Sequence, residues 1–263
     1  MGIIRSLMKH TATSLDSWTP AADLLAGRVI LVTGAASGIG KAVASDLSAH
    51  GASTVLLDRD VHGLEQLYDS IKAAGHPEPA LYPMDLQGAT PDDYTELANT
   101  LQTEYGRLDG LLHNAAYLGA LVPFSNYDHE LWFQTLQTNL NAPYLLTMAC
   151  LGLLNASQDA SVIFTSDAVG RKGKAYWGAY AVSKAGLEIF SQVLADELEA
   201  NTHIRCNSID PGPVRTRLRA TAYPAEAADQ LCTPGEITRP FLFLASEASQ
   251  GISGQQLNLQ DML

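Results

Sequence analysis

Short apolar runs alternate with stretches of helical period along almost the whole chain, and nothing else in the sequence constrains the fold as tightly. "RVILVT" (28–33), "STVLLD" (53–58), "ALYPMD" (80–85), "LDGLLHNAA" (108–116), "SVIFTS" (161–166), "IRCNSID" (204–210) and "GQQLNLQ" (254–260) read as strands. Short apolar runs of this kind suit strands buried on both faces. Helical patterns fill the gaps at 40–51, 62–75, 91–106, around 128–154 and 176–200, and at 234–248. Several close on Gly, as at Gly51 and Gly75, where a helix can end in the left-handed region. The alternation predicts an α/β fold: a single Rossmann-type, doubly wound parallel sheet of about seven strands, with helices on both faces and right-handed crossovers. A chain of 263 residues suits one such domain, here 27–263, preceded by an extension (1–26) laid on its surface. Residues 211–233, with Pro, Gly, Thr and Arg, read as a mobile substrate loop with short helices.

Composition narrows the function by exclusion. The formal net charge is −12 and no basic stripe offsets it, which argues against a nucleic-acid partner. No apolar run reaches membrane-spanning length. The N-terminus lacks a secretory apolar core, and the match of "MGIIRS" to the loose myristoylation pattern is read as chance. Cys150, Cys206 and Cys232 are odd in number and have no metal-ligand spacing. A reducing, cytoplasmic setting with no disulfide framework and no metal site is therefore expected.

The turn between the first strand and the first helix, "TGAASGIG", holds Gly34, Ser37, Gly38, Ile39 and Gly40. Glycines at such a junction allow a tight turn and close approach to a pyrophosphate, which the helix N-terminus then meets with unpaired N–H groups. The second strand ends in Asp58, where an acid can accept hydrogen bonds from an adenosine ribose diol and would repel a 2′-phosphate. Arg59 follows and argues the other way, so NAD is expected ahead of NADP. Further along, Tyr180 and Lys184 lie four apart, on one face of a helix. A nearby ammonium favours phenolate, so Lys184 is expected to lower the Tyr180 pKa toward acid–base work. Pro143 has no N–H to offer the Asn139 carbonyl, so the helix should kink there, leaving either a water site or an ordinary proline kink.

Together these segments resemble the short-chain dehydrogenase/reductase family from about residue 27 onward: "TGAASGIG", Asp58, "MDL" (84–86), "HNAA" (113–116), "TNLNAP" (138–143), "YAVSK" (180–184) and "DPGPVRT" (210–216), in the family's order. The wording around them is similar to a bacterial subgroup of generic oxidoreductases. The resemblance implies Tyr180 as acid–base, Lys184 holding the nicotinamide ribose, and Asn139 holding a relay water. It implies Asp85 and Leu86 at the adenine, and Asn114 and Ala115 beside the cofactor. Pro211, Gly212, Val214 and Thr216 would flank the nicotinamide. The expected activity is hydride transfer between NAD(P) and a small alcohol or carbonyl, in a homodimer or homotetramer.

One position breaks the pattern. The family places a catalytic Ser thirteen residues ahead of the Tyr, and here that position is Asp167, with Gly170 fixing the register. Ser166 stands one residue early, and strand alternation should turn it away from the substrate. An ionised carboxylate only accepts hydrogen bonds, opposes a developing alkoxide and raises a neighbouring phenol's pKa. Asp167 is therefore a protonated donor, an ionised group that binds a cationic or hydroxyl-rich substrate or pairs with Arg171 or Lys174, or the mark of a crippled site in a cofactor-binding or scaffold protein. Ala116 stands where the family prefers Gly, "LNLQDML" lacks the usual Gly pair, and His113 is read as a packed neighbour rather than a catalyst.

Overall fold

The computed structural model describes Leu15 and residues 18–262; most of the N-terminal extension, including "MGIIRS", lies outside the described residues. Its strands are β1 (Val29–Thr33), β2 (Ser53–Asp58), β3 (Ala80–Pro83), β4 (Gly110–His113), β5 (Ala160–Thr165), β6 (Ile204–Asp210) and β7 (Gln256–Asn258). They form one sheet in the order β3-β2-β1-β4-β5-β6-β7, every neighbouring pair parallel. The helices are α1 (Gly38–Ala49), α2 (Val61–Ala73), α3 (Pro91–Glu104), α4 (His129–Leu136), α5 (Ala142–Asn155), α6 (Ala168–Arg171), α7 (Gly178–Glu199), α8 (Arg217–Ala222) and α9 (Arg239–Ala245).

The period of two along each strand sorts the core into two layers. Ile30 and Val32 of β1 join Val43, Leu47 and Leu64 of α1 and α2, and Phe241 and Leu244 of α9, on one face. Val29 and Leu31 join Leu97 and Leu101 of α3, Leu146 and Leu153 of α5, and Leu187 and Leu194 of α7, on the other. Leu15 and Leu25 are fully buried in the first layer, and Trp18 meets Phe243 edge to face. Thr19, Ala21, Ala22, Asp23 and Ala26 are exposed, so the described part of the extension runs over the surface and is pinned to it by Leu15, Trp18 and Leu25.

Because β1 pairs with both β2 and β4, chain order reverses between β1 and β4. In open parallel sheets the crevice outside the carboxyl ends at such a reversal is the binding position. The amino ends of the same strands are stapled together. Asp109 accepts from Val29 N (2.8 Å), Ser157 Oγ (2.7 Å) and Arg107 Nε (3.1 Å). Asp159 takes Arg205 through both carboxylate oxygens (3.0 and 2.9 Å) and Arg28 Nη1 at 3.0 Å.

Two helical expectations need correction. The stretch 128–154 is not one helix: α4 passes through a π turn (Gln137–Asn141) before α5 begins. Ala142 N donates to Gln137 O, the longer bond of a π turn, one residue ahead of the proline that cannot donate. The segment 234–248 splits into a 3₁₀ turn (Pro234–Ile237), α9 and a second 3₁₀ turn (Glu247–Ser249), since Pro234 and Pro240 each occupy a helix-starting position.

Candidate active site

The carboxyl ends of β1, β2, β4, β5 and β6 build the site. At the end of β1, Thr33 Oγ1 accepts from Asn114 N (3.0 Å) and Ala115 N (3.1 Å), which ties the end of β4 to the glycine turn. Asn114 Nδ2 reaches Gly34 O at 3.4 Å. Gly40 has no room for a side chain: an added Cβ would lie 2.1 Å from Gly34 O and 2.6 Å from Asn114 Nδ2. Ser37 precedes α1 without a side-chain cap, so the N–H groups of the first turn have no side-chain partner from it. This is a cradle of donors fitted to an anion. Ile39 packs against the core, and a Cβ on Gly38 would stand 3.4 Å from Thr216 Cγ2, which brings the 211–216 segment to the same turn. Gly212 N donates to Asp210 Oδ1 at 2.9 Å, and Val214 is buried beside Cys232.

Asp58 holds the turn from the second strand. Its Oδ2 accepts from Ala36 N (3.0 Å) and its Oδ1 from Asp60 N (3.1 Å). Arg59 is exposed and stands 3.9 Å from Asp85 Oδ1, while Asp85 also accepts from Gln87 N. Leu86 is buried in the second core layer.

The candidate reacting groups lie at the ends of β5 and β6, against α7. Tyr180 is almost fully buried, and its hydroxyl donates to Asp167 Oδ2 over 3.4 Å. Asp167 caps α6, its Oδ1 accepting from Val169 N at 3.0 Å. A Cβ on Gly170 would come within 2.9 Å of Ala185 N and Lys184 Cβ, so only glycine lets α6 close on α7. Ser166 lies one residue off, buried, its Oγ without a hydrogen-bond partner. Lys184 Nζ donates to Thr165 O at 2.7 Å and lies 5.6 Å from the Tyr180 ring centre. Asn139 Oδ1 accepts from Tyr117 N (2.7 Å), and its Nδ2 donates to Tyr117 O (2.9 Å) and Ser183 Oγ (3.0 Å).

Electrostatics correct one expectation. Tyr180 is pushed well above the usual phenol value, first by burial, then by the Asp167 charge and hydrogen bond, then by Asp210. Burial pulls Lys184 down to about 8 against the pull of Asp167, Asp210 and Glu188. The expected lowering of Tyr180 by Lys184 is therefore overridden here by desolvation and by Asp167. The expected pairing of Asp167 with Arg171 or Lys174 is also absent. Arg171 pairs with Glu188 (2.8 Å) and donates to Leu257 O, and Lys174 donates to Tyr223 Oη at 2.9 Å. His113 fits its reading as a neighbour. It stacks on Phe164 with ring centres 4.9 Å apart, bonds Thr147 Oγ1 at 2.8 Å, and is held neutral by burial at about 3.

Sequence reading missed the walls of the cleft. Trp177 packs on both Tyr180 and Tyr223 (centroids 5.7 and 5.6 Å), joined by Leu118 and Leu218. Tyr223 lies far along the chain, and only the fold of 211–233 reveals it. Trp177 was legible only as the residue opening the Tyr180 helix. Its neighbour Tyr176 carries φ 76°, the only positive φ among described non-glycine residues. A bulky side chain there costs roughly 1–2 kcal/mol, less for asparagine. Tyr176→Asn is expected to raise stability by about 1 kcal/mol, read as a higher urea midpoint at unchanged slope.

The site joins a glycine turn at the sheet's reversal to a Tyr–Lys pair against the adjoining strand end. The short chain dehydrogenase family matches residues 28–227, and the chain belongs to it. The chain is 40% identical over 243 residues to the oxidoreductase YciK of Escherichia coli K12, described as uncharacterised, covering 92% of this chain and 96% of that one. A Pseudomonas syringae structure described as a short chain dehydrogenase is 49% identical with a TM-score of 0.91, covering 92% and 98%. A Shigella flexneri counterpart, solved in complex with NADP, is 41% identical with a TM-score of 0.88, covering 91% and 100%.

Proposed function

We propose that this oxidoreductase moves a hydride between NADP(H) and a small carbonyl or alcohol, with Tyr180 as the acid–base. The observation that carries the reading is the meeting of Tyr180, Asp167 and Lys184 at strand ends next to the Gly34–Gly40 cradle. When bound, the nicotinamide would supply or accept the hydride. The first turn of α1 would hold the pyrophosphate through its N–H groups. Lys184 would bond the nicotinamide ribose, and Tyr180 would give its proton to the substrate oxygen or take one back. Asn139, fastened to Tyr117 and Ser183, would fix the floor beneath Tyr180. Exposed Tyr144, Val182, Ile189 and Val193 on α5 and α7 support self-association.

NADP takes precedence over the NAD expected from Asp58. Both Asp58 oxygens already serve the backbone of the turn, and Arg59 is exposed beside it. A guanidinium–phosphate bond is worth about 1.5–3 kcal/mol, roughly ten- to a hundredfold in affinity. The Shigella relative's NADP points the same way. Fluorescence titration should give NADPH at least about tenfold tighter than NADH, with Arg59→Ala bringing the two close to parity. Tighter NADH in the unaltered protein would return the choice to Asp58.

A further inference from the structure

Positive charge gathers at the cleft of a chain whose formal net charge is −12. Residues 168–187 and 211–225 hold seven of its 16 Lys and Arg residues and no Asp or Glu. The two stretches meet over Tyr180, where Val169 and Trp177 of the first share an apolar cluster with Leu218, Ala222 and Tyr223 of the second. Three of the cations are engaged: Arg171 by Glu188, Arg219 by Glu226, and Lys184 by Thr165 O. Lys184 and Arg219 also feel the Asp167 charge and offset it inside the cleft. Lys174 is different. It is exposed, and its Nζ donates to Tyr223 Oη at 2.9 Å and lies 5.8 Å from the Trp177 ring centre and 4.8 Å from that of Tyr223. Among the described residues no carboxylate pairs with it. An ammonium has three N–H donors, so two remain for a ligand. Trp177 in turn packs on Tyr180 with ring centres 5.7 Å apart. Lys174 is thus an unpaired charge, held on aromatic faces about one ring's breadth from the candidate acid–base.

We propose that the substrate carries an anionic group, a carboxylate in the simplest case, which Lys174 binds while the reacting carbonyl or alcohol lies at Tyr180. The inference rests on the hydride-transfer reading above and names the substrate class for that site. The walls between the two ends are apolar, with Trp177, Leu118 and Leu218, and suit a flat apolar body. Charge fixes which end enters. Asp167, beside the Tyr180 hydroxyl, opposes an anion at the inner end, and Lys174 attracts it at the mouth. A free lysine side chain loses rotamer freedom when it pairs, which cancels much of the gain at a surface. Here the two rings and Tyr223 Oη already hold the ammonium, so less is lost. The acid-free stretches, with Lys172 and Arg217 also exposed in them, would draw an anion to this mouth while the rest of the acidic surface repels it.

The test uses two ketones of one shape, 4-acetylbenzoate and 4-acetylbenzamide, with NADPH as reductant. Independently of turnover, calorimetry compares their alcohols, 4-(1-hydroxyethyl)benzoate and 4-(1-hydroxyethyl)benzamide, on the protein with NADP⁺. The carboxylate should bind at least about fivefold tighter than the amide and be reduced with at least about fivefold higher kcat/KM, the size expected of a charge-assisted contact at a partly open site. Raising the salt should shrink that preference. Lys174→Gln, which keeps a donor for Tyr223 Oη, should bring the two alcohols within about twofold of each other. Lys174→Arg should keep the preference and Lys174→Glu should reverse it. Equal affinity for the two alcohols, binding of neither, or a preference that survives Lys174→Gln overturns the inference. An NADPH titration run alongside separates the two claims: no NADPH binding defeats the oxidoreductase reading, whereas tight NADPH without anion preference defeats only this one.

Discussion

Tyr180→Phe is expected to lower ketone reduction by about 10²–10⁴-fold while NADPH affinity stays within about twofold. The ring stays packed on Trp177, and the change removes only the hydroxyl that meets Asp167. Lys184 keeps its bond to Thr165 O, and Ser183, which donates to the Tyr180 backbone carbonyl at 2.8 Å, keeps α7 in place. The proton itself is held tightly. Burial and Asp167 push the phenol well above its usual value, so it stays protonated through the neutral range. Reduction, which takes that proton, should therefore outrun alcohol oxidation at neutral pH, and oxidation should climb as the medium becomes alkaline. Steady-state rates over a pH series check both points. Unchanged ketone reduction in Tyr180→Phe would remove Tyr180 from the chemistry.

Asp159→Ala is expected to cost about 3–5 kcal/mol of stability, the range for removing one partner of a buried ion pair. The carboxylate joins two guanidiniums, Arg205 and Arg28, that come from opposite regions of the chain. Arg205 is also bonded to Leu244 O, Ser246 O and Ser249 Oγ, and is 6% exposed. Without Asp159 both charges remain next to each other and lose their counter-ion. For a chain of this length, roughly 10 °C of melting temperature should be lost. Asp159→Asn, which keeps the acceptor oxygen, should lose less. Cofactor affinity should hold below the melting range, because the network lies at the amino ends of the strands and the cradle at the carboxyl ends. A fall of under about 1 kcal/mol would show that the pair is solvated and weak.

Much of this architecture was legible in the residues. The runs 53–58 and 204–210 match β2 and β6 to the residue, and each closes on an acid. Tyr180 and Lys184 drew attention because they lie four apart on one helix, and Gly34, Gly40 and the odd Asp167 because of the short motifs around them. What escaped depends on distance along the chain or on burial. The Asp159–Arg28 contact joins residues 131 apart, and no local pattern announces it. Pro143 signalled a disturbance, but whether the missing N–H yields a kink or a π turn is decided by packing against α7. Charge counting put Lys184 in command of Tyr180, but desolvation outweighs it once both groups are buried.

The most direct test of the central claim is a crystal structure of the protein with NADP⁺. The expected result is the pyrophosphate on the first turn of α1, the 2′-phosphate at Arg59, and the nicotinamide facing the Tyr180 hydroxyl beside Asp167. A nucleotide bound elsewhere, or no nucleotide in crystals grown with excess NADP⁺, would contradict it.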